Sequence, residues 1–229
     1  MIRFGLIGCG RISKNHFEAL KRQPEAEIVA CCDIIPSRAK AAAKQYQIPF
    51  WTSNYTEMLQ VEDLDAVAIC TPSGLHPAHG IQAAEFGKHV ISEKPLAVRL
   101  RDADKLIQAC SQNKVRLFVV LQNRLNPSIQ LLKQALDQGR FGQLYLLAAN
   151  VFWHRPQAYY DLADWRGTAA LDGGAICNQA SHYVDLLQWL GGPVESVRAY
   201  TATLARRIEA EDTGCAILPL SRGVWLRST

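Results

Sequence analysis

The stretch IRFGLIGCGRIS, residues 2–13, lies at the start of the chain and decides its fold. The apolar run Ile2–Ile7 predicts a strand, and the residues after the turn predict a helix. Between them, Gly8 permits a tight turn and Gly10 lets another group approach the backbone, while Ser13 is small enough to keep the helix near the strand. Because the first N–H groups of a helix attract anions, this order of elements predicts a phosphate-binding turn.

An acidic residue completes this pattern. Asp33 directly follows the second predicted strand, twenty residues after Ser13, where a carboxylate accepts hydrogen bonds from both hydroxyls of an adenosine ribose. The same charge repels a 2′-phosphate, which favours NAD over NADP, although the nearby Arg38 keeps NADP open. The alternative is that these glycines serve only the turn. The spacing from the turn to Asp33 would then be a coincidence. We therefore predict an NAD-binding domain.

Short β-branched runs alternate with helical segments through the first half of the chain. The predicted strands are Ile2–Ile7, Glu27–Cys32, Asp65–Cys70, His89–Ser92 and Val115–Leu121, and the predicted helices are Arg11–Arg22, Pro36–Gln47, His76–Phe86 and Leu100–Asn113. Such alternation requires right-handed crossovers, so we predict an α/β class with a doubly wound parallel sheet, a Rossmann domain over residues 1–121.

The pattern changes after residue 121. The predicted helices are Pro127–Gln138 and Ser181–Leu190, and the predicted strands are Gly142–His154, Val194–Leu204 and Thr213–Leu218. One helix followed mainly by long strands predicts an α+β domain with a mainly antiparallel sheet over residues 122–229.

Composition excludes several classes of function. The 229 residues carry a net charge of +4 without a basic run, which argues against nucleic acid as a partner. The seven cysteines form no CxxC pair and lie mostly in apolar runs, as reduced thiols of a cytoplasmic protein do. We expect no signal peptide, no membrane span and no metal site, because none of the corresponding patterns occurs.

Three further segments carry chemistry-bearing side chains. Residues 71–76, TPSGLH, and the triplet Glu93-Lys94-Pro95 each follow a predicted strand, at the sheet edge where doubly wound folds bind ligands. Residues 173–185, GGAICNQASHYVD, lead into a helix. Each is weak alone, because a lysine after a strand is more often a solvated residue than a catalytic one, and a single histidine at a helix start is more often a surface or packing residue; this applies to Lys94 and to His182. His16 is predicted to be structural.

Together these features resemble the Gfo/Idh/MocA family of sugar and inositol dehydrogenases. The glycine turn, Asp33, the Glu-Lys-Pro triplet and the glycine-rich approach to a histidine-bearing helix stand in the family's order. The segments QNRLNP, residues 122–127, and NQASHY, residues 178–183, resemble the family's nucleotide-sugar branch. The resemblance implies catalytic Lys94 beside the nicotinamide and catalytic His182 as general base. Where many relatives carry Asp, this chain has Asn178.

The resemblance also implies a set of binding residues. Those expected to bind the cofactor are Gly8, Gly10, Arg11, Ile12, Asp33, Thr71, Pro72, His76, Glu93, Lys94, Gln122, Trp165 and Arg166. Those expected to bind the substrate are Lys94, Arg124, Asn178, Gln179 and His182. Forked hydrogen bonds from Arg124, Arg155 and Arg166 suit a uronate carboxylate or a diphosphate.

The implied reaction is the NAD-dependent oxidation of a small-molecule sugar hydroxyl, at C3 of a UDP-linked N-acetylglucosaminuronate, for surface-polysaccharide synthesis. Hydride leaves the carbinol carbon as His182 takes the hydroxyl proton, since an imidazole with a pKa near ~6.5 suits proton transfer at neutral pH. The ammonium of Lys94 stabilises the developing alkoxide. A catalytically impaired NAD-binding remnant, or a dehydrogenase of another sugar or inositol, are the alternatives.

Family members are usually homo-oligomers, commonly dimers or tetramers. The resemblance therefore implies that residues 122–229 form an incomplete α+β domain that binds the substrate and forms oligomers. The resemblance extends to about residue 217. We expect a truncation or frame shift near residue 218, which would leave an unfinished sheet with an exposed edge.

Overall fold

The computed structural model describes residues 1–220 and the backbone of residues 225–228. The chain forms two compact units, Met1–Val120 and Leu121–Thr229. None of the helices within the described part of the chain combines the length and apolar character needed to span a bilayer.

The first unit is a six-stranded parallel sheet with helices between its strands. The strands are β1 (Ile2–Ile7), β2 (Ala26–Cys32), β3 (Phe50–Thr52), β4 (Ala66–Ile69), β5 (His89–Ser92) and β6 (Leu117–Val119). The helices are α1 (Ser13–Lys21), α2 (Pro36–Tyr46), α3 (Tyr55–Leu59), α4 (His76–Glu85) and α5 (Leu100–Gln112). The spatial order is β3-β2-β1-β4-β5-β6, which confirms the predicted Rossmann sheet.

Both faces of this sheet are buried. Successive residues of a strand point to opposite faces, so Leu6 joins a core with Phe17 of α1, whereas Ile7 joins the opposite core with Leu106 of α5. The strand order reverses between β1 and β4, and the loops after these two strands carry Gly8 and Thr71. Ligands of doubly wound folds bind at such a point.

The second unit contains a four-stranded sheet of mainly antiparallel pairs. Its strands are β7 (Leu146–Ala149), β8 (Arg198–Ala202), β9 (Thr213–Pro219) and β10 (Trp225–Ser228), and its helices are α6 (Pro127–Asp137), α7 (Gln157–Tyr160) and α8 (Ser181–Gly191). The order is β7-β10-β9-β8; the β7–β10 pair is parallel, and the β10–β9 and β9–β8 pairs are antiparallel. The predicted antiparallel character is confirmed.

Several predicted elements differ from those observed. The long strand expected over Gly142–His154 is only the four residues of β7, because β-propensity describes how a side chain fits a paired surface and not whether a partner strand exists. The strands β3 and β10 and the helices α3 and α7 were not predicted. Part of the expected change in the tail falls on residues 221–224 and 229, which lie outside the described residues.

Candidate functional site

The turn after β1 has the conformation that its glycines permit. Gly8 has φ +96°, and a Cβ there would lie 2.8 Å from the carbonyl oxygen of Cys70. At Gly10, a Cβ would meet no atom of the described chain within 4 Å. The Ser13 hydroxyl donates to the Gly10 carbonyl over 2.7 Å and closes the turn. Gly10 therefore borders an open cradle over the start of α1, while Arg11 and Ile12 lie exposed beside it.

The carboxylate of Asp33 lies against this turn. Its Oδ2 accepts the Cys9 N–H over 2.8 Å and its Oδ1 accepts the Ile35 N–H over 2.9 Å. Each carboxylate oxygen has further lone pairs, so Asp33 is held in place and can still accept ribose hydroxyls. A cradle for phosphates beside an acceptor for a ribose fits a dinucleotide such as NAD.

His76 links the two loops that follow β4 and β5. The imidazole is 1% exposed, with Nδ1 2.8 Å from the Pro95 carbonyl oxygen and Nε2 2.9 Å from that of Thr71. Both ring nitrogens thus lie against backbone carbonyl oxygens, and the cofactor contact predicted for His76 stays a prediction. The side chain of Thr71 contacts His79, and Pro72 precedes a 3-10 turn over Ser73–Leu75.

Glu93 fastens the loop of Lys94 to α1. Its Oε1 lies 2.7 Å from Nε2 of His16, and its Oε2 accepts the Lys94 N–H over 3.2 Å. Burial would raise the pKa of Glu93, but the hydrogen bond from His16 and the proximity of Lys94 outweigh it, so that pKa lies below its usual value. His16, predicted to be structural, thus has a partner on the loop of Lys94. The feature of the sequence that points to this contact is the position of His16 three residues after Ser13, on the same side of α1.

In the second unit, two glycines shape the approach to Asn178 and His182. Gly173 and Gly174 have φ +84° and +90°, and a Cβ at Gly174 would lie 2.0 Å from the carboxylate of Glu211. A π-helical turn over Ala175–Gln179 follows, before α8 begins. Asn178 and His182 are both buried, so the surrounding protein, and not solvent, determines the orientation of their side chains.

A 3-10 turn over Gln122–Leu125 runs beside α8. Gln122 Nε2 lies 3.4 Å from His182 Nε2, which brings together two residues predicted for the site. Arg124 was predicted to bind the substrate, but its guanidinium donates twice to the carboxylate of Asp185 and lies over Trp189. This pair gives Arg124 a partner in the protein itself.

Two arginines converge on Tyr159. The guanidinium carbons of Arg155 and Arg166 lie 5.2 Å and 4.3 Å from the centre of that ring, and Gln179 donates to its hydroxyl over 3.2 Å. Nε of both arginines is buried with no hydrogen-bond partner in the described residues. Such donors suit an oxyanion. Trp165 packs on Arg166 at 4.7 Å.

Comparisons with known proteins agree with this architecture. Residues 2–121 match the profile described as "Oxidoreductase family, NAD-binding Rossmann fold". Residues 129–227 match "GFO/IDH/MocA C-terminal domain". This match extends past residue 217, where the resemblance was expected to end. The D-apiose dehydrogenase of Paraburkholderia graminis is 32% identical over 96% of this chain and 57% of its own length.

Two solved structures are similar over almost the whole chain. The WlbA dehydrogenase from Bordetella pertussis, in complex with NADH and UDP-GlcNAcA, is 54% identical with a TM-score of 0.96, over 99% of this chain and 69% of that one. The enzyme from Chromobacterium violaceum, with the same two ligands, is 52% identical with a TM-score of 0.95, over 100% and 67%.

The chain spans between 57% and 62% of the length of the first curated relatives that it matches. The predicted family and the predicted NAD-binding Rossmann domain are confirmed by the profile matches. The chain therefore belongs to the Gfo/Idh/MocA family of oxidoreductases.

Proposed function

We propose that the protein catalyses the NAD-dependent oxidation of the C3 hydroxyl of UDP-N-acetylglucosaminuronate or a close nucleotide-sugar analogue. The observation that carries this proposal is the 54% and 52% identity to two dehydrogenases whose structures hold NADH and UDP-GlcNAcA. Identity at this level over the whole chain favours a shared substrate class more than the fold alone does.

The cofactor, when bound, supplies the hydride acceptor. The backbone at Gly8 and Gly10 would hold its pyrophosphate, and Asp33 would accept hydrogen bonds from its adenosine ribose. Support for these roles comes from the open cradle at Gly10 and the fixed carboxylate of Asp33. The negative charge of Asp33 favours NAD over the 2′-phosphorylated cofactor.

We assign the proton chemistry to Lys94 and His182. His182 removes the proton of the reacting hydroxyl as the hydride leaves, and the ammonium of Lys94 stabilises the negative charge that develops on the oxygen. The hydrogen bond that the Lys94 N–H donates to the Glu93 carboxylate restrains the lysine loop, and burial within the second unit restrains His182. Restraint of both groups lowers the reorganisation that the reaction requires.

The anionic parts of the substrate need cationic partners, and Arg155 and Arg166 supply them in this proposal. Their buried Nε groups and their shared stacking on Tyr159 support a site for a uronate carboxylate or a diphosphate. Surface-polysaccharide synthesis, a cytoplasmic location and a dimeric or tetrameric assembly remain predictions.

The proposal is tested by following NADH formation after addition of UDP-N-acetylglucosaminuronate. K94A and H182A are expected to lower kcat by about 10²- to 10⁴-fold with little change in NAD affinity, measured by calorimetry. K105A, which alters an exposed lysine of α5, is the matched control and should retain full activity.

Three results would contradict the proposal in different ways. Binding of NAD without turnover of any sugar would favour the non-catalytic remnant. Turnover of free inositol or glucose, but of no UDP-sugar, would favour another branch of the family. Full activity of both K94A and H182A would show that Lys94 and His182 do not have the assigned roles.

A further inference from the structure

A buried carboxylate, Asp172, lies beside the residues of the proposed substrate site. Asp172 is 2% exposed and directly precedes the glycine pair. Its Oδ2 accepts the N–H of Gly167 over 2.7 Å, and its Oδ1 accepts a hydrogen bond from Nδ2 of Asn178. One side chain thus ties the loop after Arg166 to the π-helical turn that carries Asn178.

This contact determines which way the amide of Asn178 faces. An ionised carboxylate has acceptors only, so the nitrogen of the amide must point toward Asp172. The amide group is planar, and its oxygen therefore points away from Asp172. Asn178 is itself only 8% exposed, which means that solvent does not compete for this orientation.

We propose that Asp172 is a positioning residue, which fixes Asn178 so that its amide oxygen accepts a hydrogen bond from a hydroxyl of the bound sugar. This inference rests on the proposed dehydrogenase function. It also accounts for the amide at position 178: because Asp172 already supplies the buried charge, a second carboxylate there would face it directly. A like pair of buried carboxylates is unfavourable.

The orientation can be inverted by one nearly isosteric substitution. In D172N the new amide keeps an oxygen for the Gly167 N–H and directs its NH₂ group toward Asn178. Two NH₂ groups cannot hydrogen bond to each other, so the Asn178 amide turns over and offers donors to the sugar hydroxyl. Adding N178D restores an acceptor on both sides, since a carboxylate accepts from the new amide and from the sugar.

Kinetics with the nucleotide sugar and NAD test this cycle. D172N should lower kcat/KM for the sugar by about 10- to 100-fold, with the KM for NAD changed less than about twofold, and D172N/N178D should recover about tenfold over D172N. D137N, which alters an exposed aspartate of α6, is the control and should have no effect. Wild-type kcat/KM in D172N, or no recovery in a folded double variant, overturns the inference.

A second measurement does not depend on turnover or on the folding of a variant. In NMR spectra of the unaltered protein, one of the two side-chain amide protons of Asn178 should exchange slowly with solvent, because it is bonded to a buried carboxylate. Fast exchange of both protons overturns the inference. Slow exchange in a protein that turns over no nucleotide sugar would support the orientation while refuting the proposed function.

Discussion

The substitutions G8A and G10A should have different effects. G8A should destabilise the fold, whereas G10A should weaken cofactor binding. At Gly8, φ is +96° and the new Cβ would lie 2.8 Å from the Cys70 carbonyl oxygen and 3.1 Å from the Thr71 nitrogen. These are backbone atoms of the chain around the end of β4, and they cannot move without disturbing the sheet. At Gly10, φ is not positive and the new Cβ meets no atom of the described residues within 4 Å.

The two substitutions should change the free energy of unfolding in different directions and by different amounts. The strained backbone of G8A costs about 1–3 kcal/mol, and the overpacking against backbone costs about 1–3 kcal/mol more. At about 2–4 °C per kcal/mol for a chain of this size, a loss near ~4 kcal/mol lowers Tm by roughly 8–16 °C. G10A should leave Tm unchanged or raise it slightly, because a compatible Gly→Ala change stabilises by about 0.4–1 kcal/mol.

The assay is a thermal melt without cofactor, paired with calorimetric titration of NAD. G10A is expected to weaken NAD binding at least about tenfold, a cost of about 1.4 kcal/mol, because its methyl group projects into the cradle proposed for the pyrophosphate. A G10A protein that binds NAD as tightly as the wild type would refute that placement. A G8A protein with an unchanged Tm would refute the steric argument.

Three further outcomes are expected. Burial lowers the pKa of His79 to about 4, so between pH 6.5 and 4 the unfolded chain takes up the extra proton; stability should fall by on the order of 2–3 kcal/mol as pH drops through this window, and less in melts of H79Q. In G174A the new Cβ would lie 2.0 Å from the Glu211 carboxylate, so Tm should fall, and G174A/E211A should lose less than the sum of the two single losses. A double-mutant cycle on Arg124 and Asp185, measured by urea unfolding, should give a coupling on the order of 1 kcal/mol, whereas additive losses would contradict the ion pair.

The amino-terminal half was predictable because its signals are local. The apolar run of β1, the turn at Gly8 and the start of α1 lie within a dozen residues, and each residue's own conformational preference selects the observed geometry. Asp33 was predictable for a related reason, since one strand–helix–strand unit sets its distance along the chain. The loops that follow β4 and β5 were placed by the same topology.

Pairing and packing between distant segments were not predictable. The short strand β3 and the backbone pairs of β10 depend on a neighbouring strand more than on their own composition. Arg124 was predicted to bind the substrate, and only the position of α8 shows that Asp185 lies within reach. A preference read from sequence states what a side chain can do, while its partner is chosen by whatever the fold brings near.

By itself, the sequence determined a Rossmann unit with a glycine turn and a matching acid, because those features follow from backbone conformations set by adjacent residues. Only the tertiary structure decided that His16 meets Glu93 across 77 residues and that Asp172 orients the amide of Asn178. The physical reason is that a buried polar group must find a partner, and the identity of that partner is a property of the packed chain.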